Sequence, residues 1–227
     1  MAKKIFITGT GTDVGKTYVT GLIVKKLNEA GKKAAYYKAA MSGNDRDSEG
    51  KLIPGDAKFV KDISSVEQPL ETMCPYIYET AVSPHLASRL EGNPVDLEVV
   101  KKGFFELCEK YDFVTMEGSG GILCPICIDE RKIMLEDVIG ELALSCILIA
   151  DAGLGTINSV VLTVEYMRSH NIPVEAVIFN NYIAGDVMHE DNILMCEKMT
   201  GLKTLAKVAK DDKELNVSAE ELIALYK

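Results

Sequence analysis

The sequence predicts an α/β fold, a mainly parallel sheet with helices on both faces. Two observations predict it. Short β-branched apolar runs alternate with stretches whose apolar residues recur at helical spacing, and strands separated by helices pair in parallel. A Gly-rich turn joins the first such run to the first helical stretch. The 227 residues contain no fixed-period repeat, low-complexity tract or Pro/Gly/Ser linker, so residues 1–227 are expected to form a single domain.

Residues 4–8 form a short β-branched run, after which Val19, Leu22, Ile23, Leu27 and Ala30 recur at helical spacing until Gly31 supplies a C-terminal cap. Residues 34–37 read as a second strand, and residues 39–55 as a long polar loop of the kind that is usually functional or mobile. Ser83-Pro84 marks a helix start, with the hydroxyl as cap and the proline in the first turn, where its missing N–H does no harm. Asp96 opens the next helix, whose core face is Leu97, Val100, Phe104, Leu107 and Cys108, and the apolar run 113–116 follows. A helix near 134–142, a strand at 146–150, a helix at 157–167 and a strand at 174–179 continue the alternation. Beyond Gly185 come a helix around Val187–Thr200, a weak strand near 202–208 and a terminal helix from Ser218.

Composition narrows the function. With 25 Lys plus Arg against 34 Asp plus Glu, the formal charge is −9, and 47% of residues are hydrophobic, which suits a soluble globular protein and argues against disorder. A net negative surface gathers neither nucleic acid nor anionic membrane, so neither is expected as a partner. The apolar run 5–7 stops at Thr8 and Gly9, short of a signal-peptide core. The uncharged stretches 142–150 and 152–164 fall below the roughly 18 apolar residues of a spanning helix. Six cysteines in apolar contexts read as reduced thiols of a cytoplasmic protein, without disulfides.

The strongest motif is Gly9-Thr10-Gly11-Thr12-Asp13-Val14-Gly15-Lys16-Thr17, placed between a strand and a helix. Its backbone N–H groups can converge on phosphate oxygens at a helix N-terminus, Lys16 can reach the β/γ-phosphates and Thr17 can ligate Mg²⁺. The first position of the strict G-x-x-x-x-G-K-[ST] pattern is Thr10 here, with Gly9 one residue earlier, so the loop is a variant. The motif in this setting predicts a P-loop NTPase-like fold. The alternative, a Gly-rich turn with a chance Gly-Lys-Thr, does not account for the flanking strand and helix.

Ligands of an open parallel sheet bind beyond the C-terminal strand ends, and this rule sorts the polar residues. Asp112 begins its strand and is structural. Glu117 ends the same strand, precedes Gly118-Ser119-Gly120-Gly121 and is the Mg²⁺ candidate. Lys38 ends the second strand, where a cation stabilises charge in phosphoryl transfer, but an ordinary solvated lysine fits equally. Asp56, in Pro54-Gly55-Asp56-Ala57, is either a second metal carboxylate or an N-cap, and local sequence favours the cap. Gly155-Thr156-Ile157-Asn158 opens a helix whose N–H groups suit an anion, against a purely structural reading of the same turn. The lone Cys124-Pro125-Ile126-Cys127 reads as inert thiols, and His85, His170 and His189 as structural or surface residues.

The loop Gly9 to Thr17, Tyr37-Lys38 with Ser42-Gly43, Ser83-Pro84-His85, Glu117 to Gly121 with Pro125, and Leu154 to Asn158 together resemble dethiobiotin synthetase, in that order along the chain. The resemblance implies a homodimeric, ATP- and Mg²⁺-dependent enzyme that closes a cyclic urea from 7,8-diaminononanoate and CO₂ or bicarbonate. It implies that Gly11, Thr12, Asp13, Val14, Gly15, Lys16 and Thr17 surround the nucleotide, with Glu117 beside them and Asn180 at the adenine. It implies Mg²⁺ ligands Thr17, Asp56 and Glu117, and catalytic roles for Lys16, Lys38 and Thr12. Thr12, Lys38, Ser42 and Gly120 would meet the substrate, and Asn158 would hold its distant carboxylate in the neighbouring subunit's site. The family often has a Gly-x-Ile-Pro segment after its last strand, where this chain has Ala206 to Asp211, without Gly or Pro.

Two other readings compete. A partitioning or positioning ATPase would carry a signature lysine at Thr10 and a basic amphipathic C-terminal helix, whereas residues 219–225 are led by Glu220 and Glu221. A cobyrinate-type amidating synthetase would need a glutaminase domain for which the chain is too short.

Overall fold

The computed structural model describes residues 2–129 and 131–227. In chain order these run β1 (Lys3–Gly9), α1 (Lys16–Glu29), β2 (Ala34–Lys38), β3 (Ala40–Met41), α2 (Gly55–Ser64), β4 (Tyr76–Ile77), α3 (Pro84–Leu90) and α4 (Leu97–Lys110). They continue with β5 (Phe113–Glu117), β6 (Pro125–Ile128), β7 (Lys132–Met134), α5 (Leu135–Glu141), β8 (Cys146–Asp151), α6 (Thr156–Ser169), β9 (Val174–Asn180), α7 (Val187–Thr200), β10 (Thr204–Lys207) and α8 (Ala219–Leu225). Six strands make one sheet in the order β10-β9-β8-β1-β5-β2, every neighbouring pair parallel.

Strand residues alternate between two faces, and the sheet buries both. Ile5 and Ile7 of β1 pack with Leu22, Ile23 and Leu27 of α1, Val60 of α2 and Leu222 of α8. Phe6, between them, points the other way, into a core with Phe104 of α4 and Val138 of α5. On that second face Leu148 and Ala150 of β8 meet Val160 and Val164 of α6 and Ile193 of α7. Each of the Val, Leu, Ile and Phe side chains among them contributes about 1.5–3 kcal/mol relative to exposure. The chain is therefore an α/β layer structure with two cores divided by the sheet.

The topology also fixes where a ligand goes. From β1 the chain first builds outward through β2 and β5, then crosses to β8 on the other side of β1. The loop after β1 thus opens into the crevice where strand order reverses, beyond the carboxyl ends of the strands.

Local expectations are corrected at three places, and a fourth, the segment after β10, shows how it turns. Residues 39–55 are not one polar loop, because Ala40 and Met41 pair with Tyr76 and Ile77 and are buried. Asp56 is not an N-cap; Pro54 holds that position and Asp56 sits inside the first turn of α2. Ser83 is the N-cap residue of α3, but its hydroxyl makes no cap bond and instead meets His85 Nδ1 at 3.0 Å. The segment after β10 lacks Gly and Pro, yet it turns tightly: Asp211 adopts φ 66°, and the Asp212 carboxylate accepts from the Ala209 N–H at 2.8 Å. By contrast, Asp96 caps α4 as expected, accepting from the Glu98 N–H at 2.9 Å.

Candidate nucleotide and metal site

The loop between β1 and α1 owes its shape to close packing. A Cβ on Gly9 would stand 2.9 Å from Val14 Cγ2, and one on Gly15, at φ +87°, 2.0 Å from the Asn180 carboxamide. Both positions require glycine. Thr10 is tolerated because it lies outside these approaches, its N–H bound to Ile149 O at 3.0 Å. Asp13 at φ 60° completes the left-handed turn that leads into α1. Asn180, ending β9, donates from Nδ2 to Val14 O at 3.1 Å and so supports the loop from the neighbouring strand end.

Lys16 folds back over this loop, its Nζ 2.7 Å from Gly11 O. Burial depresses its pKa, opposed by the nearby Glu117 carboxylate. An ammonium held at this cost in desolvation is best matched by an anionic ligand.

Behind Lys16 lies a charged cluster. Lys38 Nζ bridges Glu117 Oε1 at 2.7 Å and Asp56 Oδ2 at 2.6 Å. Thr17 donates from Oγ1 to Glu117 Oε1 at 2.8 Å, and Tyr36 donates its hydroxyl to Glu117 Oε2 at 3.1 Å. Burial opposes the charge of Lys38, but the Glu117 and Asp56 carboxylates outweigh it and raise the pKa. Lys38 is therefore a buried, doubly paired cation and not a solvated lysine.

Lys16, Thr17, Lys38, Asp56 and Glu117 line one cleft of about 940 Å³, with Tyr36 buried behind Glu117. Thr12, Asp13, Gly15, Ser42 and Gly120 line it as well, so the cleft gathers the greater part of the expected site. Ser42 donates its hydroxyl to Val82 O at 2.5 Å, which leaves the oxygen free to accept. Asn180 stands behind the loop. Asn158 is elsewhere, exposed on the first turn of α6, outside the residues lining the cleft. Cys124 also borders the cleft, its thiol pKa raised by burial against the pull of Lys16 and Lys38.

Two carboxylates and one hydroxyl, all oxygen donors, suit a hard divalent cation that completes its shell with phosphate oxygens and water. Among the described residues no cluster of three His, Cys, Asp or Glu forms a closed cage. Tyr36 belongs to no motif and was not among the expected site residues. Its signal was the two-residue alternation of β2, which places Tyr36 on the same face as Lys38.

A family model described as an AAA domain matches residues 3–216. The MinC:MinD cell division protein complex of Aquifex aeolicus superposes with a TM-score of 0.58 at 15% identity, covering 93% of this chain and 83% of that one. A ParA family ATPase from Chlorobium tepidum gives 0.53 at 13% identity, covering 93% of this chain and 85% of that one. Fold, loop and cleft together define a P-loop NTPase. ATP-dependent dethiobiotin synthetase BioD of Clostridium kluyveri is 48% identical over 227 residues, 100% of this chain and 93% of that protein. The protein of that name from Brachyspira hyodysenteriae is 49% identical over 209 residues, 92% of each chain. The chain belongs to the dethiobiotin synthetase family and is an ATP-dependent ligase.

Proposed function

We propose that the protein closes the cyclic urea of dethiobiotin from 7,8-diaminononanoate and CO₂ or bicarbonate, consuming ATP with Mg²⁺. The observation that carries this reading is the cleft itself: Lys16, Lys38, Thr17, Asp56 and Glu117 concentrate charge where a terminal phosphate would lie. The chemistry needs positioning and charge stabilisation and no covalent enzyme intermediate. One substrate amine adds to CO₂ and loses a proton to give a carbamate. A carbamate oxygen takes the γ-phosphoryl group and ADP departs. The second amine then attacks the carbonyl carbon, and phosphate leaves as the ring closes with loss of a proton.

In this reading the loop N–H groups and Lys16 hold the phosphates, and Asn180 meets the base. Thr17, Asp56 and Glu117 hold Mg²⁺, whose charge would neutralise the phosphate oxygens. Lys38, with Thr12, Ser42 and Gly120, orients the carbamate end of the substrate. The protein acts as a cytoplasmic homodimer, in keeping with six free cysteines. Among the described residues no helix is long and apolar enough to cross a membrane. Leu154, 92% exposed, stands beside the start of α6, where a second copy would bring Asn158 to its partner's substrate carboxylate.

Oxygen labelling tests the sequence of steps. With ¹⁸O-bicarbonate, a carbamate oxygen leaves in the phosphate, so released phosphate carries one label from the carbon source. Phosphate labelled only from solvent water would show simple hydrolysis and refute the scheme.

A further inference from the structure

Glu117 is oriented from two sides, and the cleft accounts for only one. Its Oε1 accepts from Thr17, at the end of the phosphate loop, and from Lys38, at the end of β2, both lining the cleft. Its Oε2 turns away into the core and accepts from the Tyr36 hydroxyl. We propose that Tyr36 is a positioning residue that aims the Glu117 carboxylate at the metal, an inference that rests on the metal-ligand reading of Glu117 given above.

The placement follows from the sheet. Tyr36 pairs with Thr115 and Lys38 with Glu117 in the β2–β5 register, so Tyr36 and Lys38 share a face and the phenol reaches diagonally to the carboxylate. Tyr36 has 0% and Glu117 1% relative exposure, which leaves water little part in the arrangement. The terminal torsion of a glutamate is intrinsically broad and two-fold. A donor fixed on Oε2 narrows it, leaving Oε1 directed at the loop, as partners beyond the ligands do in metal sites generally.

Tyr36 is itself held in place. β2 is an edge strand, and the outward N–H and C=O of Tyr36 have no strand to pair with. The Gln68 carboxamide replaces one: Tyr36 N–H donates to Gln68 Oε1 at 2.8 Å, and Gln68 Nε2 donates to Tyr36 O at 3.0 Å. Gln68 is fully buried and also reaches Thr72 Oγ1 at 3.1 Å. The phenol is thereby anchored through its backbone as well as by packing.

The test uses Mn²⁺ with ADP as the probe, with bound and free metal distinguished by electron paramagnetic resonance. Wild type, Tyr36→Phe, Glu117→Gln and the double variant are compared. Tyr36→Phe should weaken Mn²⁺ binding roughly tenfold, and the half-saturating Mg²⁺ in turnover should rise by more than kcat falls. In the Glu117→Gln background the same change should add little, because the hydroxyl acts through that carboxylate. Thermal melting establishes that each variant is folded, and Tyr36→Met, which also fills the space without a donor, provides the comparison if phenylalanine disturbs packing. Unchanged Mn²⁺ affinity in folded Tyr36→Phe, with Glu117→Gln weakened, would overturn the positioning role alone. An equal loss in both backgrounds would overturn it too. If neither single substitution alters Mn²⁺ binding, the metal-site reading falls and takes this inference with it.

Discussion

Lys16 concentrates the argument for an anionic ligand in one side chain. Its pKa is depressed, chiefly by burial, so folding disfavours the charged form, and the stability it contributes has the opposite sign to that of Lys38. With its charged form disfavoured by burial, the ammonium is a net cost to the fold. Lys16→Met should therefore leave the melting temperature unchanged or raise it, while reducing kcat about 10²–10³-fold, as loss of one preorganised donor does. Melting curves beside steady-state rates check both halves. Lys16 and Thr17 were legible because the motif is local. Lys38 and Asp56 were not settled by sequence, because what separates a solvated lysine from a bridging cation is a pair of carboxylates brought from other elements. Gln68 was invisible for the same reason, since it reads as ordinary until the edge of β2 is known, whereas Tyr36 shared a strand face with Lys38 but showed no partner.

Among elements, α6 carries the prediction that depends most on the proposed dimer. Its first turn follows Gly155, at φ +93°, and presents Asn158 to solvent, away from its own cleft. If two copies share sites, Lys16→Ala and Asn158→Asp should each be weak alone, the second because a carboxylate would repel the substrate's. Subunit exchange should then restore part of the activity, since one site in the heterodimer carries both lesions and the other neither. Demonstrated heterodimers without recovery would return the turn to a structural role. The long elements were legible from period and punctuation: α7 runs Val187–Thr200 as expected, and α8 begins after Ser218, whose hydroxyl accepts from the Glu221 N–H. The β3–β4 and β6–β7 pairs were missed, and α2 was anticipated only through the cap reading of Asp56. Strands of two to four residues owe their form to tertiary pairing, and α2 opens on Pro54-Gly55 without a side-chain cap to announce it.

In the molecule as a whole, the parallel sheet and its strand order bring residues from four strand ends into one region. The loop follows β1, Lys38 ends β2, Glu117 ends β5 and Asn180 ends β9. Strand polarity could be read from sequence, which is why Glu117 was separated from the exposed Asp112 at the other end of the same strand. The likeness to MinD and ParA proteins, at 13–15% identity, is a likeness of this scaffold. It says nothing of whether ATP drives a switch or a synthesis. Phosphate release decides between the two. With Mg²⁺-ATP alone the protein should turn over negligibly, and adding 7,8-diaminononanoate with bicarbonate should raise phosphate release in step with formation of the cyclic urea, one for one. Phosphate released at the same rate with or without the diamine would contradict the account.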